Sequence, residues 1–407
     1  MSPAHAAALH RPLRLASLAA FASLAAMRAC DPMLLTLSAE FGRGLGDVSR
    51  VVSVFAIAYG LLQLFYGPLG DRIGKLRVVA FTCTGCALAA GLASFAQTLE
   101  QLVLARVVMG GTAAGIVPMT IAWIGDSFPY EQRQETLARL LTATVSGMIA
   151  GLWLGAWITE AFGWRQVFVV LALVFAAAAV PLWRGTRTAA RPVAEGSAGP
   201  APPAPASGLL DLLRLPAQPR VRWVLAMVGI EGALMFGMLA FVPAYLGQRH
   251  GLGTAASGSV LALYGVGGLL YSRVARRLLH ALGERGMART GGAVLGVALL
   301  VLAWAPHWAA AAPGCLLAGA GFYMIHTTLQ TQATQMAPAQ RGSAVALFAC
   351  VLFLGQSAGV TVVSAAVDRG ATAWAFSACA AGLALVGMLV GRGVGRAPPS
   401  RAPGPGG

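Results

Sequence analysis

Charged side chains are scarce in this sequence. Lysine, arginine, aspartate and glutamate make up 11% of the 407 residues, whereas soluble domains carry about 25%. Hydrophobic residues make up 57%, and the mean hydropathy is +0.72. So few charges exclude an ordinary soluble globular protein and indicate a polytopic membrane protein.

The sequence also lacks the short motifs of ATPases and of common enzyme sites. It contains no Walker A loop, no G-x-S-x-G and no H-E-x-x-H, so neither ATP-driven transport nor hydrolytic chemistry is indicated. Its six cysteines are scattered through apolar runs and give neither a disulfide framework nor zinc-site spacing. We therefore predict a protein that is not an enzyme and that needs no cofactor and no metal.

Acidic residues are fewer than basic ones, 14 against 29, which gives a formal net charge of +15. In a soluble protein this excess would suggest nucleic acid as a partner. Here the arginines fall in short loops between apolar runs, where positive charge sets orientation and attracts anionic lipid. The charge therefore predicts a lipid bilayer as the partner, and no nucleic acid.

Twelve apolar runs are long enough to cross a membrane, since a span needs roughly 20 residues. The first follows Arg11 and Arg14 like a signal peptide, but Arg28 and Asp31 interrupt it, so we interpret it as an uncleaved span. The predicted spans are 15–38, 48–69, 77–97, 101–125, 136–159, 164–183, 222–247, 254–272, 289–306, 310–333, 343–365 and 372–391.

The composition changes between the sixth and seventh spans, where 194–207 is rich in proline, glycine, alanine and serine. Such a segment cannot bury a core and is typical of a flexible linker. The predicted domains are an N-terminal six-helix bundle (1–184), a flexible cytoplasmic linker (185–221), a C-terminal six-helix bundle (222–395) and a disordered tail (396–407). Placing both termini in the cytoplasm puts 22 of the 29 basic residues on that face, which favours this topology.

The two halves share landmarks at similar spacing. Tyr59-Gly60 in the second span matches Tyr264-Gly265 in the eighth, 205 positions later. Gly110 and Pro129 recur as Gly319 and Pro338, 209 positions later. This weak repeat predicts two six-helix bundles related by an axis along the membrane normal.

Four charged residues fall at membrane depth, where charge is costly and usually functional. They are Arg28 and Asp31 in span one, Arg106 in span four and Glu231 in span seven. We expect Asp31 to pair with Arg106, and Arg28 to pair with Glu231 across the two halves. A carboxylate with a movable partner suits proton coupling, and static packing pairs are the alternative.

Polar side chains in spans two and ten are candidates for a substrate cavity. Span ten is polar along its length, and His326 and Gln330 share one face. In span two, Tyr59 and Gln63 lie on a connected face, where helix packing is an equally good interpretation. With Arg28, these four residues form the predicted cavity lining, and His326 is also a possible proton-coupling group.

The loop after span two, residues 67–77, combines three glycines, one acid and three basic residues in the order G-x-x-G-D-R-x-G-K. It resembles the loop signature of the major facilitator superfamily, and the acidic, arginine-containing loop at 126–133 resembles a second one. The resemblance implies a gating role for these loops. The gating candidates are Gly67, Gly70, Asp71, Arg72, Gly74, Lys75, Asp126 and Arg133.

Further resemblances favour the drug:proton antiporter branch of that superfamily. Arg106, followed by Gly110-Gly111, is similar to its fourth-span signature, and Asp31 resembles its first-span acid. These imply Asp31 as the titrating group with Arg106 as its modulator. Span five has the glycine ladder Gly147, Gly151 and Gly155 but lacks the branch's Gly-Pro pair.

The resemblance implies a twelve-helix, all-α membrane protein that works by alternating access. We expect a proton-coupled exporter of small, fairly apolar organic compounds, a monomer in the cell inner membrane, with a small-molecule substrate and protons as partners. The alternatives are a proton-coupled importer of a small metabolite or organic anion, with Arg28 as its clamp, and a transporter-like receptor or scaffold.

Overall fold

The computed structural model describes residues 3–188 and 214–394, and every regular element there is helical. The helices of the first half are α1 (Pro3–Arg28), α2 (Leu34–Phe41), α3 (Leu45–Val48), α4 (Arg50–Ile73), α5 (Lys75–Ser94), α6 (Leu99–Ala113), α7 (Ile116–Ser127), α8 (Tyr130–Phe162) and α9 (Trp164–Thr188). Those of the second half are α10 (Pro219–Leu239), α11 (Val242–His250), α12 (Thr254–Trp304), α13 (Ala311–Gln335), α14 (Arg341–Asp368) and α15 (Thr372–Gly393).

In the described part of the chain, eleven helical segments are long and apolar enough to cross a membrane. One of them, α12, has 51 residues, which at 1.5 Å per residue is about 76 Å and far exceeds a bilayer's hydrocarbon core of about 30 Å. It covers the predicted eighth and ninth spans and breaks at Gly283, whose φ of 63° and ψ of 172° are non-helical. A glycine tolerates this conformation because it has no Cβ. With α12 counted as two, the twelve predicted spans are present.

The predicted linker 185–221 falls largely outside the described residues. The described residues at its two ends include helix, since α9 extends to Thr188 and α10 begins at Pro219. The predicted tail 396–407 also lies outside the described residues.

Helix packing within each half follows the internal repeat. In the first half α8 packs on α1, and a Cβ added at Gly151 would lie 2.8 Å from Ala25 Cα. In the second half α14 packs on α10, and a Cβ at Gly359 would lie 2.6 Å from Ala233 Cα. Both members of the second pair come 208 positions after those of the first, so the two halves use the same close backbone contact. This confirms the predicted pair of six-helix bundles.

The halves meet mainly through two helix pairs, α4 with α14 and α8 with α12. At the first, a Cβ on Gly60 would lie 3.0 Å from Phe353 Cβ and 3.1 Å from the Cys350 carbonyl oxygen. At the second, Gly258 faces Ala156 and lies against the Leu152 carbonyl. Small residues thus allow close approach both within and between the bundles.

Because consecutive spans alternate in direction, their connections fall on two faces. We call the face opposite the start of α1 the distal face. It carries residues 42–44, 95–98, 251–253, 305–307 and 369–371. Ion pairs join its connections within the first half, with Nη1 of Arg165 2.6 Å from Glu40 and Nη2 of Arg50 3.5 Å from Glu100.

The glycine contact between α8 and α1 makes a testable prediction. In Gly151→Ala the new methyl group would meet the α1 backbone at Ala25, and overpacking of this kind costs about 1–3 kcal/mol. We expect a melting temperature several degrees below wild type in detergent. The matched control is Gly91→Ala in α5, where nothing lies within 4 Å and alanine is the better helix former. Equal melting of wild type and Gly151→Ala would contradict the packing.

Candidate functional site

Both halves break their first span about two thirds of the way along it. In the first half α1 ends at Arg28, and a short 3₁₀ turn, Asp31–Met33, precedes α2. In the second half α10 ends at Leu239 and α11 begins at Val242. Pro32 and Pro243 lie at the start of the restarting segments, where the missing N–H of proline is tolerated. The predicted continuous spans 15–38 and 222–247 are therefore each two helical pieces.

The first break brings Arg28 and Asp31 together. Arg28 Nη2 lies 2.9 Å from Asp31 Oδ2, and both side chains are buried. The Arg28 guanidinium also lies over the ring of Phe236 from the second half, with Cζ 5.4 Å from its centroid, a cation–π geometry. The predicted Arg28–Glu231 pair is wrong, because the local turn offers Arg28 a nearer carboxylate.

Arg106 does not form the predicted ion pair with Asp31. Its Nε donates to the Val51 carbonyl at 2.9 Å and its Nη1 to the Ala26 carbonyl at 2.8 Å. The guanidinium stacks on Phe55, with Cζ 4.2 Å from the ring centroid. Arg106 is fully buried and thus ties α6 to α1 and α4 through backbone oxygens. The planar fork of arginine suits such divergent contacts.

Glu231 pairs with His326 inside the second half. His326 Nδ1 lies 2.9 Å from Glu231 Oε2, with 0% of the glutamate side chain and 14% of the histidine side chain exposed. The sequence analysis predicts Glu231 as a proton-coupling residue and His326 as a cavity residue. The structure brings them together, because α10 and α13 are neighbours in space.

Aromatic rings that the sequence interpretation missed connect the two charged pairs. Phe322 stacks on His326 with centroids 4.9 Å apart, and it meets Phe236 at 5.2 Å and Tyr264 at 5.9 Å. Phe236 in turn lies under Arg28. The one available signal was the four-residue spacing of Phe322 and His326 on one helix face.

Several polar atoms of this cluster have unused hydrogen-bonding capacity. All three guanidinium nitrogens of Arg28, both carboxylate oxygens of Asp31 and Glu231 Oε1 are buried and make no hydrogen bond with any described residue. An unpaired buried polar group costs about 1–3 kcal/mol, so such groups are well suited to a ligand or a proton. We call Arg28, Asp31, Phe236, Glu231, Phe322 and His326 the central cluster.

The remaining predicted cavity residues lie elsewhere. Tyr59 is buried against Phe353 of the second half, with ring centroids 4.8 Å apart. Gln63 is buried and donates to the Gly60 carbonyl at 3.3 Å. Gln330 is exposed. The structure therefore places Tyr59 and Gln63 in helix packing, which was the alternative, and does not bring them to the central cluster.

Part of the predicted gating loop forms a charge network on the terminal face, the one that carries the start of α1. Lys75 Nζ lies 3.8 Å from Asp71 and forms a short ion pair with Asp126. Arg133 instead donates from Nε to the Phe128 carbonyl at 2.8 Å. The network thus links α4, α5 and α7.

The glycines and the arginine of the same loop differ in their surroundings. Gly70 lies against the sulfur of Met119, and Gly74, with φ of 95°, separates α4 from α5. A Cβ added at Gly67 would meet nothing within 4 Å, and Arg72 is exposed. Close approach is therefore required at Gly70, and a turn at Gly74.

Across residues 3–188 and 214–394, no group of three or more histidine, cysteine or acidic side chains is arranged to hold a metal ion.

The Arg106 contacts predict a specific loss on conservative substitution. In Arg106→Lys the charge remains, but one ammonium cannot bridge two separated carbonyls and stack on Phe55. We expect a lower melting temperature. The free energy of unfolding should fall by about 2–4 kcal/mol, because hydrogen bonds made by a buried charged group are lost. Arg222→Lys, at an exposed position, is the matched control and should melt like wild type. Equal stability of the two variants would contradict a clamping role for Arg106.

Comparison with known proteins agrees with this architecture. The family model of the Major Facilitator Superfamily matches residues 16–360 of this chain. Among solved structures, a bacterial homolog of the human lysosomal transporter Spinster, in an inward-facing and unoccupied conformation, superposes with a TM-score of 0.71. It has 16% identity over 94% of this chain and 97% of that one. The nucleoside transporter NupG superposes with a TM-score of 0.70 at 14% identity, covering 95% of this chain and 99% of its own.

Curated relatives include drug-resistance proteins. The probable multidrug resistance protein EmrY of Escherichia coli is 26% identical over 44% of this chain and 35% of its own length. The methyl viologen resistance protein SmvA of Salmonella typhimurium is 32% identical over 33% of this chain and 28% of its own length. The matched region thus spans about a third of these relatives. The MFS-type transporter YceJ of Bacillus subtilis is 22% identical over 82% of this chain and 83% of its length.

Because the family match covers most of the sequence and the described helices form two related six-helix bundles, the chain belongs to the major facilitator superfamily, whose members are membrane transporters rather than enzymes.

Proposed function

We propose that the chain exports small, fairly apolar organic compounds in exchange for protons, by alternating access. The observation that carries this proposal is the central cluster. It combines two buried acid–base pairs with a connected set of aromatic rings.

Proton coupling needs a carboxylate whose charge state can change during the cycle. Asp31 and Glu231 are fully buried, and each has one cationic or ionisable partner. A charge at this depth is tolerable only while a partner compensates it. Because Arg28 and Asp31 lie in the same half, a substrate that binds Arg28 and weakens its pairing with Asp31 would require the acid to take a proton. The proton-coupling set is thus Asp31 and Glu231, with Arg106 holding the helices that carry Asp31.

The aromatic rings favour apolar or aromatic substrates. Phe236 and Phe322 present ring faces between Arg28 and His326, and aromatic faces bind flat organic groups and cations well. Drug-resistance names among the relatives, including EmrY, SmvA and the efflux pump LfrA of Mycolicibacterium smegmatis, support the same substrate class.

A second candidate is import of an organic anion, and one observation favours it. All three guanidinium nitrogens of Arg28 are buried without a hydrogen-bond partner among the described residues, and these could bind a substrate carboxylate. A probable L-galactonate transporter of Escherichia coli is 27% identical over 34% of this chain and 31% of its own length.

The same proposal places a monomer in the cell inner membrane, with both termini in the cytoplasm and 1–184 and 222–395 as the two bodies that move. The Asp71–Lys75–Asp126 network then lies on the cytoplasmic side and acts in gating there.

Transport in everted membrane vesicles tests the proposal. An acid-inside gradient should drive ethidium, a planar aromatic cation, into wild-type vesicles at least several-fold above vesicles without the protein. Asp31→Asn should abolish this accumulation while leaving membrane insertion intact.

The matched control is Glu100→Gln, which changes an exposed acid on the distal face and should transport normally. Ethidium leaving the vesicles under the same gradient would contradict export. Full gradient-driven accumulation by Asp31→Asn would exclude Asp31 as the coupling residue.

A further inference from the structure

Two carboxylates on the distal face reach from one half of the molecule to the other. They stand at the ends of α8 and α14, the helices that pack across the interface against α12 and α4. Each carboxylate binds a backbone N–H group of the opposite half. The central cluster lies deeper in the membrane and does not include either one.

The first of these carboxylates is Glu160, near the end of α8. Its Oε2 accepts a hydrogen bond from the backbone N–H of Ala255, in the first turn of α12, at 2.7 Å. The N–H groups of a first turn have no partner within the helix and carry partial positive charge. A Cβ at Gly253 would lie 2.8 Å from Glu160 Oε2, so a larger residue there would displace the carboxylate.

The second carboxylate is Asp368, the last residue of α14. Its Oδ1 accepts a hydrogen bond from the backbone N–H of Gly46 at 3.0 Å. A Cβ at Gly44 would lie 3.5 Å from the same oxygen, and a Cβ at Gly46 would collide with Oδ2. The carboxylate therefore occupies space that a side chain at position 46 would fill.

The two contacts are copies of each other under the internal repeat. Glu160 and Asp368 are 208 positions apart, and their backbone partners Gly46 and Ala255 are 209 apart. The glycines beside them, Gly44 and Gly253, are also 209 apart. The close helix contacts within the two halves repeat at 208. The same carboxylate-to-backbone contact is thus made twice. In one copy the first half supplies the carboxylate, and in the other the second half does.

We propose that Glu160 and Asp368 are paired distal latches, which hold the distal side of the transporter closed and release when that side opens. This proposal rests on alternating access as the proposed mechanism. Both carboxylates are on exposed residues, so water can solvate the acid and the N–H group once they separate. An exposed contact of this kind is weak enough to break in every cycle, whereas a buried one is not.

Distances between spin labels across the distal face test the latches. The labelled sites are Gln97→Cys in the first half and Pro306→Cys in the second, both exposed on this face. The six native cysteines are all buried, so the labels report on the added pair. The full chain is reconstituted in lipid nanodiscs, and the ratio of long to short distances is measured.

We expect Glu160→Ala and Asp368→Ala each to raise this ratio roughly threefold, as for loss of an exposed charged contact, and the double variant to raise it further. Glu160→Gln and Asp368→Asn keep an acceptor oxygen and should have smaller effects, and they replace the alanine variants if those fail to fold. The matched control is Glu100→Ala, since Glu100 pairs with Arg50 inside its own half. It should leave the ratio unchanged.

The outcomes separate the latches from the mechanism on which they rest. Two distances in wild type whose ratio is the same in the double alanine variant would overturn the latches and leave alternating access intact. An equal effect of Glu100→Ala would also overturn them. A single short distance in every sample, including the double variant between pH 5 and pH 8, would overturn both proposals.

Discussion

A charge at membrane depth must be compensated within a few ångströms, and this constraint organises the centre of the molecule. The protein meets it separately in each half. Arg28 is compensated by Asp31 three residues away, and Glu231 by His326 on a neighbouring helix of the same bundle. Arg106 is surrounded by carbonyl oxygens and a ring face. Since neither of these two buried pairs crosses the interface, the halves can move past one another without exposing an isolated buried charge.

The internal repeat explains how two such bundles fit together. The same small-residue contacts join α8 to α1 and α14 to α10, and the same two helices then face the opposite half. Each moving body thus has a close-packed interior and a shared pattern of contacts at its boundary. Aromatic faces at the centre and carboxylates on the distal face add contacts that separate without breaking either bundle. This division into rigid bodies and separable contacts is what alternating access requires.

The fold could be predicted from the sequence because membrane spans leave a strong signal in composition, and the repeat added the division into halves. The identity of the central charged residues could also be predicted, since Arg28, Asp31 and Glu231 are conspicuous in apolar runs. Their partners were predicted wrongly. Arg28 and Asp31 are three residues apart and share a helix face, and the expected Asp31–Arg106 and Arg28–Glu231 pairs overlooked this local pairing. The Glu231–His326 pair depends on which spans become neighbours, and the aromatic residues Phe236 and Phe322 look like ordinary lipid-facing or core residues in the sequence.

The central claim is that Arg28 and Asp31 compensate each other inside the first half. A double-mutant cycle of thermal stability, using Arg28→Gln, Asp31→Asn and the double variant, tests it most directly. Each single variant keeps one charged partner buried without its counter-charge. Its free energy of unfolding should therefore fall by up to about 3–5 kcal/mol. The account predicts that the double variant recovers most of this loss, which gives a coupling energy well above 1 kcal/mol. A double variant whose loss equals the sum of the two single losses would contradict it.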